Sequence, residues 1–127
     1  MALSKTAMAM KQKMSAVITL RRALEAMERE WQELASADEA LGEELVWQLL
    51  LEKRHLQRQA AQRGLQNWVL LRRANLNERR FRLMKRRYVD GMPWSKVIAL
   101  CGHSKQYLMR EHNRALEQVA TAMEGCR

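Results

Sequence analysis

The scarcity of turn-forming residues is the strongest constraint on the fold of this chain. Its 127 residues include one proline and five glycines, which leaves few positions for the tight turns that connect the strands of a sheet. Several segments instead repeat apolar residues every three or four positions, as on one face of a helix. The sequence therefore predicts an all-α fold.

Basic side chains are concentrated in the C-terminal part of the chain. The formal net charge is +9, with −2 in residues 1–47 and +11 in residues 48–127. Such a surplus is typical of proteins that bind nucleic-acid phosphates in a salt-dependent manner. Solvent-exposed helix surfaces without a ligand would also explain many of these charges.

Residues 1–73 contain a heptad-like seam of apolar side chains that starts at Met10. From Val17 onward the spacing alternates between three and four residues, which is typical of a coiled coil or a helical hairpin. Two amphipathic helices bury little surface alone, so we interpret this segment as an oligomerisation region that forms a homodimer. The alternatives are that this segment folds against the C-terminal domain, or that the chain is a monomer in which the hairpin packs on itself. The predicted oligomerisation residues are Val17, Leu20, Leu24, Met27, Trp31 and Leu34.

A break between two helices is predicted near residues 35–39. Ser36 and Glu39 resemble a capping box, and Asp38 offers a second capping oxygen. Gly64 is predicted to end or bend the helix that follows. The apolar side of that helix would consist of Leu41, Leu45, Leu49 and Leu56.

Residues 74–127 are predicted to form a separate domain that contains two helices joined by a tight turn. Pro93 suits the start of the first helix, which should end near Cys101. Gly102 can adopt the left-handed conformation that closes a helix, and Ser104 can cap the next one. On the second helix, one side would face inward, with Leu108, His112, Ala115 and Val119.

The same region resembles a known family of DNA-binding proteins. The segments LNERRFRLMKRRYVDG, PWSKVIALCGHS and YLMREHNRALEQV, within residues 76–119, resemble region four of sigma factors. They are more similar still to the sigma-like regulators of late gene expression in phages and prophages of Gram-positive bacteria. Glu111 and Cys101 depart from the pattern, which usually has an aliphatic residue and a leucine there. The residues that match it include Trp94, Ser104, His112, Ala115 and Leu116.

This resemblance implies a sequence-specific transcriptional regulator of phage or prophage origin that binds double-stranded DNA at promoters, with RNA polymerase as a further candidate partner. The second helix would enter the major groove, where its outward side chains read base edges. Those predicted base-reading residues are Lys105, Gln106, Met109, Arg110 and Asn113. Asn77 should cap the preceding basic helix, in which Phe81, Met84 and Tyr88 face the core. The predicted contacts to the DNA backbone are Ser104, Arg79, Arg82, Arg86 and Arg114.

The sequence offers little support for an enzyme, a metal site or a secreted protein. His55, His103 and His112 have no zinc-binding spacing, and no catalytic or phosphate-loop motif is present. We therefore expect no catalytic residues, no cofactor and no metal. Two distant cysteines, Cys101 and Cys126, and the lack of a signal-peptide pattern or long apolar segment favour a cytoplasmic location in a bacterial host, without membrane contact.

Two other functions fit the same pattern. A phage small-terminase-type subunit, which recognises DNA for packaging, also combines a helix-turn-helix with oligomerising helices. A non-catalytic adaptor would instead use the helical N-terminal segment to bind a protein and the basic region to contact an acidic surface. A ring-sized oligomer would favour the first alternative, and binding without DNA specificity would favour the second.

Overall fold

The structure is a computed structural model that describes residues 2–36 and 42–125. Its helices are α1 (Lys5–Met14), α2 (Ala16–Ser36), α3 (Glu43–Arg73), α4 (Glu78–Tyr88), α5 (Trp94–Cys101) and α6 (Lys105–Glu124). These described ranges contain no β-strand. The prediction of an all-α protein is therefore confirmed.

Local sequence chemistry sets several helix ends. The Asn77 side chain accepts a hydrogen bond from the backbone N–H of Arg80 (2.8 Å), and the Ser104 hydroxyl accepts one from Tyr107 (3.2 Å). Gly102 ends α5 with a φ of 70°, in the left-handed region that favours glycine. The predicted caps at Asn77, Gly102 and Ser104 are confirmed.

The N-terminal seam is divided between two helices. Ser15 interrupts the helical pattern, and its hydroxyl donates a hydrogen bond to the Lys11 carbonyl oxygen at 2.6 Å. A serine hydroxyl that bonds the preceding turn competes with regular helix geometry, which explains a break here. Met10 therefore lies on α1, whereas the seam from Val17 onward lies on α2.

Helix α3 passes through Gly64 without ending there, so the prediction of a helix end at this glycine is wrong. A Cβ atom at position 64 would lie 3.1 Å from the backbone oxygen of Val89. Gly64 therefore allows the segment after α4 to approach α3 closely. Leu45, predicted to line the apolar side, is 43% exposed. The capping residues Asp38 and Glu39, together with Leu41 and Cys126, lie outside the described residues.

The main hydrophobic core joins residues that are far apart in the sequence. Helix α1 packs against α6, and residues of α2, α3 and α4 complete the cluster. This core crosses the domain boundary predicted between residues 73 and 74, although that boundary coincides with the end of α3. The buried members of the core are Ala7, Met10, Met14, Ile18, Leu70, Leu71, Ala74, Met84, Tyr88, Ala115, Leu116, Val119 and Ala120.

A buried amide holds three helices together inside this core. Asn67 of α3 donates one hydrogen bond to the Met14 carbonyl oxygen (2.9 Å) and another to that of Tyr88 (2.7 Å). Each acceptor is the last residue of its helix, where carbonyl groups lack partners within the helix. Asn67 thus satisfies one terminal carbonyl group of α1 and one of α4 with a single side chain.

Candidate nucleic-acid interface

A second, smaller cluster positions α5 and α6. Leu83 of α4, Val97 of α5 and Leu108 of α6 are buried together, and half-buried residues including Trp94 and Tyr107 pack around them. Residues 102–104 form the short connection between α5 and α6. Because Leu108 anchors only the inward side of α6, the other side of its first turns faces solvent.

The predicted inward side of α6 is confirmed. Leu108, His112, Ala115 and Val119 are all buried. Side chains on the opposite side of the helix must therefore point away from the core. This burial pattern fixes which residues of α6 a ligand can reach.

The five predicted base-reading residues differ in exposure. Lys105, Gln106 and Arg110 are exposed, whereas Met109 and Asn113 are half-buried. Helical geometry places Gln106 and Arg110 one turn apart on the side opposite His112. They are the most accessible of the five, together with Lys105 at the start of the helix.

Asn113 takes part in a buried polar chain. Its Oδ1 atom lies 3.0 Å from Nδ1 of His112, and Nε2 of His112 lies 2.7 Å from the Tyr88 hydroxyl. Because Oδ1 can only accept, Nδ1 carries the hydrogen, and Nε2 accepts a hydrogen bond from Tyr88. The Trp94 ring meets the imidazole edge to face, with ring centroids 4.9 Å apart. Asn113 therefore orients His112 as well as facing the surface.

Burial controls the ionisation of this chain. Desolvation lowers the pKa of His112 to about 4, and the hydrogen bond to Asn113 opposes this shift only in part. Desolvation also raises the pKa of Tyr88 to about 12. Both groups are therefore neutral near pH 7, and His112 has a packing role in this structure.

An arginine-lined cleft lies beside α6. It has a volume of about 660 Å³ and is bounded by α4, the end of α5 and the first turns of α6. Arg79, Arg82 and Arg86 of the predicted backbone-contacting set line it, together with Arg80. Guanidinium groups gathered in one cleft favour an anionic ligand. We name this feature the arginine cleft.

The arginines of the cleft are not equally available. Arg79 donates a hydrogen bond to the Tyr107 hydroxyl (2.7 Å), and Arg82 pairs with Glu78 one turn away. Arg86 donates to the Cys101 sulfur at 3.2 Å, and a thiol is a weak acceptor. Each of the three therefore keeps several N–H donors for a ligand.

Glu111 is neutralised within the chain. Its carboxylate accepts a hydrogen bond from Arg80 Nε at 2.6 Å and lies 3.4 Å from Arg114 Nη1. The hydrogen bond from Arg80 lowers the pKa of Glu111. Arg80 also donates to the Gln118 side chain at 2.6 Å. The acidic residue that departs from the sigma pattern thus serves to tie α4 to α6.

Three residues of this surface were not identified from the sequence. Tyr107 and His103 have ring centroids 4.6 Å apart at the entrance to α6, and both line the arginine cleft. The guanidinium of Arg80 makes the contacts that hold α4 and α6 together.

The predicted oligomerisation residues lie on α2, which packs along α3 of the same chain. Val17 and Leu24 are buried, and Met27 and Trp31 line a cavity together with Leu49 of α3. Leu20 is half-buried, and Leu34 is partly exposed at the end of α2. Helices α2 and α3 therefore form a hairpin within one chain.

The described residues contain no group of three or more His, Cys, Asp or Glu side chains that could hold a metal ion. Among those residues, no helix is both long and apolar enough to cross a bilayer.

Comparisons with known proteins found no match to this chain among protein-family models, curated proteins or solved structures.

Proposed function

We propose that this protein is a sequence-specific regulator of transcription that binds double-stranded DNA by inserting the first turns of α6 into the major groove. The observation that carries the proposal is the pairing of an exposed polar face on α6 with the adjacent arginine cleft. The first can reach base edges, and the second can bind phosphates. Both are held by the buried cluster of Leu83, Val97 and Leu108.

Side-chain chemistry divides the work between these two surfaces. Arg110 can donate two hydrogen bonds to guanine, and Gln106 can pair with adenine. Arg82 and Arg86 would contact phosphates, which gives affinity without sequence preference. Arg114 stands beside Arg110 on the outer side of α6, where it would contact the backbone next to the groove. Ser104 would fix the start of the helix at the groove.

The resemblance of residues 76–119 to sigma region four supports a role at promoters, in the manner of the late-gene regulators of phages. In that setting RNA polymerase is a second candidate partner, because an acidic protein surface would also complement the arginine cleft. Binding at a promoter requires DNA recognition first. The test therefore begins with DNA.

The experiment is a selection from randomised duplex DNA at near-physiological salt, followed by affinity measurements on the recovered and random sequences. Arg110→Ala should weaken binding to the selected sequence by about 1–3 kcal/mol and relax the preference at one base pair. Arg82→Ala should weaken both DNAs alike and reduce the dependence of affinity on salt. Arg29→Ala, an exposed arginine of α2, is the matched control.

The outcomes separate the candidate functions. A selected motif that depends on Arg110 supports sequence-specific recognition by α6. Salt-sensitive binding without a motif would contradict it and favour an adaptor that contacts an acidic protein. A ring-sized oligomer bound to one extended DNA site would favour the small-terminase alternative.

A further inference from the structure

The outer side of α3 carries apolar side chains that the described part of the chain leaves uncovered. Trp47, Leu51 and Leu65 are each about 60% exposed, at 59%, 62% and 63%, and Val69 is 36% exposed. The spacings of 4, 14 and 4 residues place all four on one side of the helix. We call this set the outer stripe of α3.

Directly after its two acidic first residues, α3 is apolar on almost every side from position 45 to position 51. Positions 45–51 read LVWQLLL, and α2 is the neighbouring helix that packs along this hairpin. Leu45, Trp47, Leu50 and Leu51 are still 43–62% exposed. A helix that is hydrophobic all round is normally enclosed, and a contiguous exposed apolar surface marks an interaction site. A further partner is therefore expected here.

The outer stripe is complementary to itself when the helix is reversed. If two copies of α3 run antiparallel with position 58 opposite position 58, Trp47 meets Val69 and Leu51 meets Leu65. The two positions in each pair are equally far from position 58, so a single register forms both pairs. In this register, each apolar side chain of the outer stripe is covered by an apolar side chain of the second copy.

The charges at the two ends of α3 favour the same register, whereas Arg58 at the axis meets its own copy. Its first turn is acidic, with Glu43 and Glu44, and its last turn is basic, with Arg72 and Arg73. The antiparallel register places Glu44 opposite Arg72 and Glu43 opposite Arg73. A parallel pair would instead place like charges together at both ends, which is unfavourable.

We propose that the outer stripe of α3 is a homodimer interface in which two α3 helices pack antiparallel about a two-fold axis at Arg58. This interface is isologous, because the same patch serves both copies. It differs from the seam on α2, which packs within the chain. It does not depend on DNA binding, so it can fail or succeed separately from the proposed function.

Sedimentation equilibrium tests the interface. The intact chain should be a dimer at micromolar concentrations, and Leu65→Asp should raise the dimer dissociation constant by more than about tenfold. Met8→Asp changes an exposed apolar residue of α1 and should leave the dimer intact. Arg58→Gln removes like charges at the axis and should tighten the dimer. Helical content measured by circular dichroism verifies that each variant is folded.

Disulfide crosslinking tests the register, in a chain whose Cys101 and Cys126 are replaced by serine. Arg58→Cys should form a covalent dimer by itself. Leu51→Cys should crosslink efficiently only when mixed with Leu65→Cys. Crosslinking of Leu51→Cys with itself would indicate a parallel pair and overturn the proposal, as would a monomeric intact chain or equal effects of Leu65→Asp and Met8→Asp.

DNA binding distinguishes this proposal from the proposed function. A folded, monomeric Leu65→Asp variant should still bind a single copy of the selected DNA motif. Loss of the dimer with retained recognition would support both proposals independently. A dimer that selects no motif would support the interface and contradict the proposed function.

Discussion

At the scale of single residues, His112 shows how burial converts a titratable side chain into a packing element. The imidazole is 2% exposed and lies between Tyr88 and the edge contact with Trp94. Its neutral form is matched to its partners, because Nδ1 donates to Asn113 and Nε2 accepts from Tyr88. A second proton would place a charge inside the core without a carboxylate partner among the contacts of the ring.

The stability of the protein should therefore fall as the pH decreases from about 6.5 to about 4. The pKa of His112 is lowered from 6.5 to about 4, so the unfolded chain binds the proton first. Stability is fully present above the unfolded pKa, and about 3 kcal/mol of it is lost as the pH falls to the folded value. Urea unfolding measured at several pH values gives this slope.

His112→Gln provides the control for this pH dependence. It retains polar atoms at the site but does not titrate in this range. The variant should be less stable at pH 7 and show a flatter decline between pH 6.5 and 4. A parallel decline in the two proteins would contradict the assignment to His112.

At the scale of secondary-structure elements, two glycines with nearly equal positive φ values have different surroundings. Gly91 and Gly102 have φ values of 71° and 70°. An added Cβ at Gly91 would lie 2.6 Å from Cγ of Arg21 on α2, whereas nothing lies within 4 Å of one at Gly102. Gly102 therefore serves the turn alone, and Gly91 also lets the α4–α5 connection pack against α2.

Substitution of these glycines should separate the two effects. Gly102→Ala should cost about 1–2 kcal/mol from backbone strain, and Gly91→Ala should cost more because a neighbour must also move. The free energy of unfolding in urea measures both. In an Arg21→Ala background the cost of Gly91→Ala should decrease, whereas that of Gly102→Ala should not. Equal costs of the two substitutions in the original chain would show that α2 does not restrict Gly91.

The elements that the sequence predicted well are those determined by local chemistry. The turn at Gly102 and Ser104 depends on residues within a few positions, and the inward side of α6 follows from helical spacing. The prediction of a helix end at Gly64 is wrong because the sequence does not show that Val89 lies close to this glycine. Without that neighbour, a glycine that allows close approach cannot be distinguished from one that ends a helix. Spacing likewise identifies an apolar side of α2 but not the helix that covers it.

The candidate site was predictable to a similar extent. Charge and the helical repeat identified Arg110 and Gln106 as outward residues, and the structure leaves both exposed. The pairing of Arg80 with Glu111 was not predictable, because it joins two helices 31 positions apart. Contacts of this kind depend on how α4 and α6 are oriented in three dimensions. The same limit concealed the role of Tyr107 as the acceptor for Arg79.

At the scale of the whole molecule, the N-terminal helix packs in the same core as α6, the helix that carries the candidate DNA-binding surface. Helix α1 packs on α6, and Ser4 donates from its backbone N–H and its hydroxyl to the Glu117 carboxylate at 2.7 and 2.9 Å. Thr6 adds a hydrogen bond to Glu124 at 2.8 Å. These contacts connect residues more than 100 positions apart. The two ends of the chain therefore stabilise one another.

A fragment of residues 74–127 should consequently fail to fold by itself. It lacks the buried side chains of Met10, Met14, Ile18, Leu70 and Leu71. Each large apolar side chain contributes about 1.5–3 kcal/mol when buried, so their combined loss is comparable with the roughly 5–15 kcal/mol stability of a whole domain. Circular dichroism should show low helicity without a cooperative urea transition, and mixing with residues 1–73 should restore helicity. If the isolated fragment unfolds cooperatively at the same midpoint as the intact chain, the boundary at 73/74 separates independent domains and the shared core is not needed for stability.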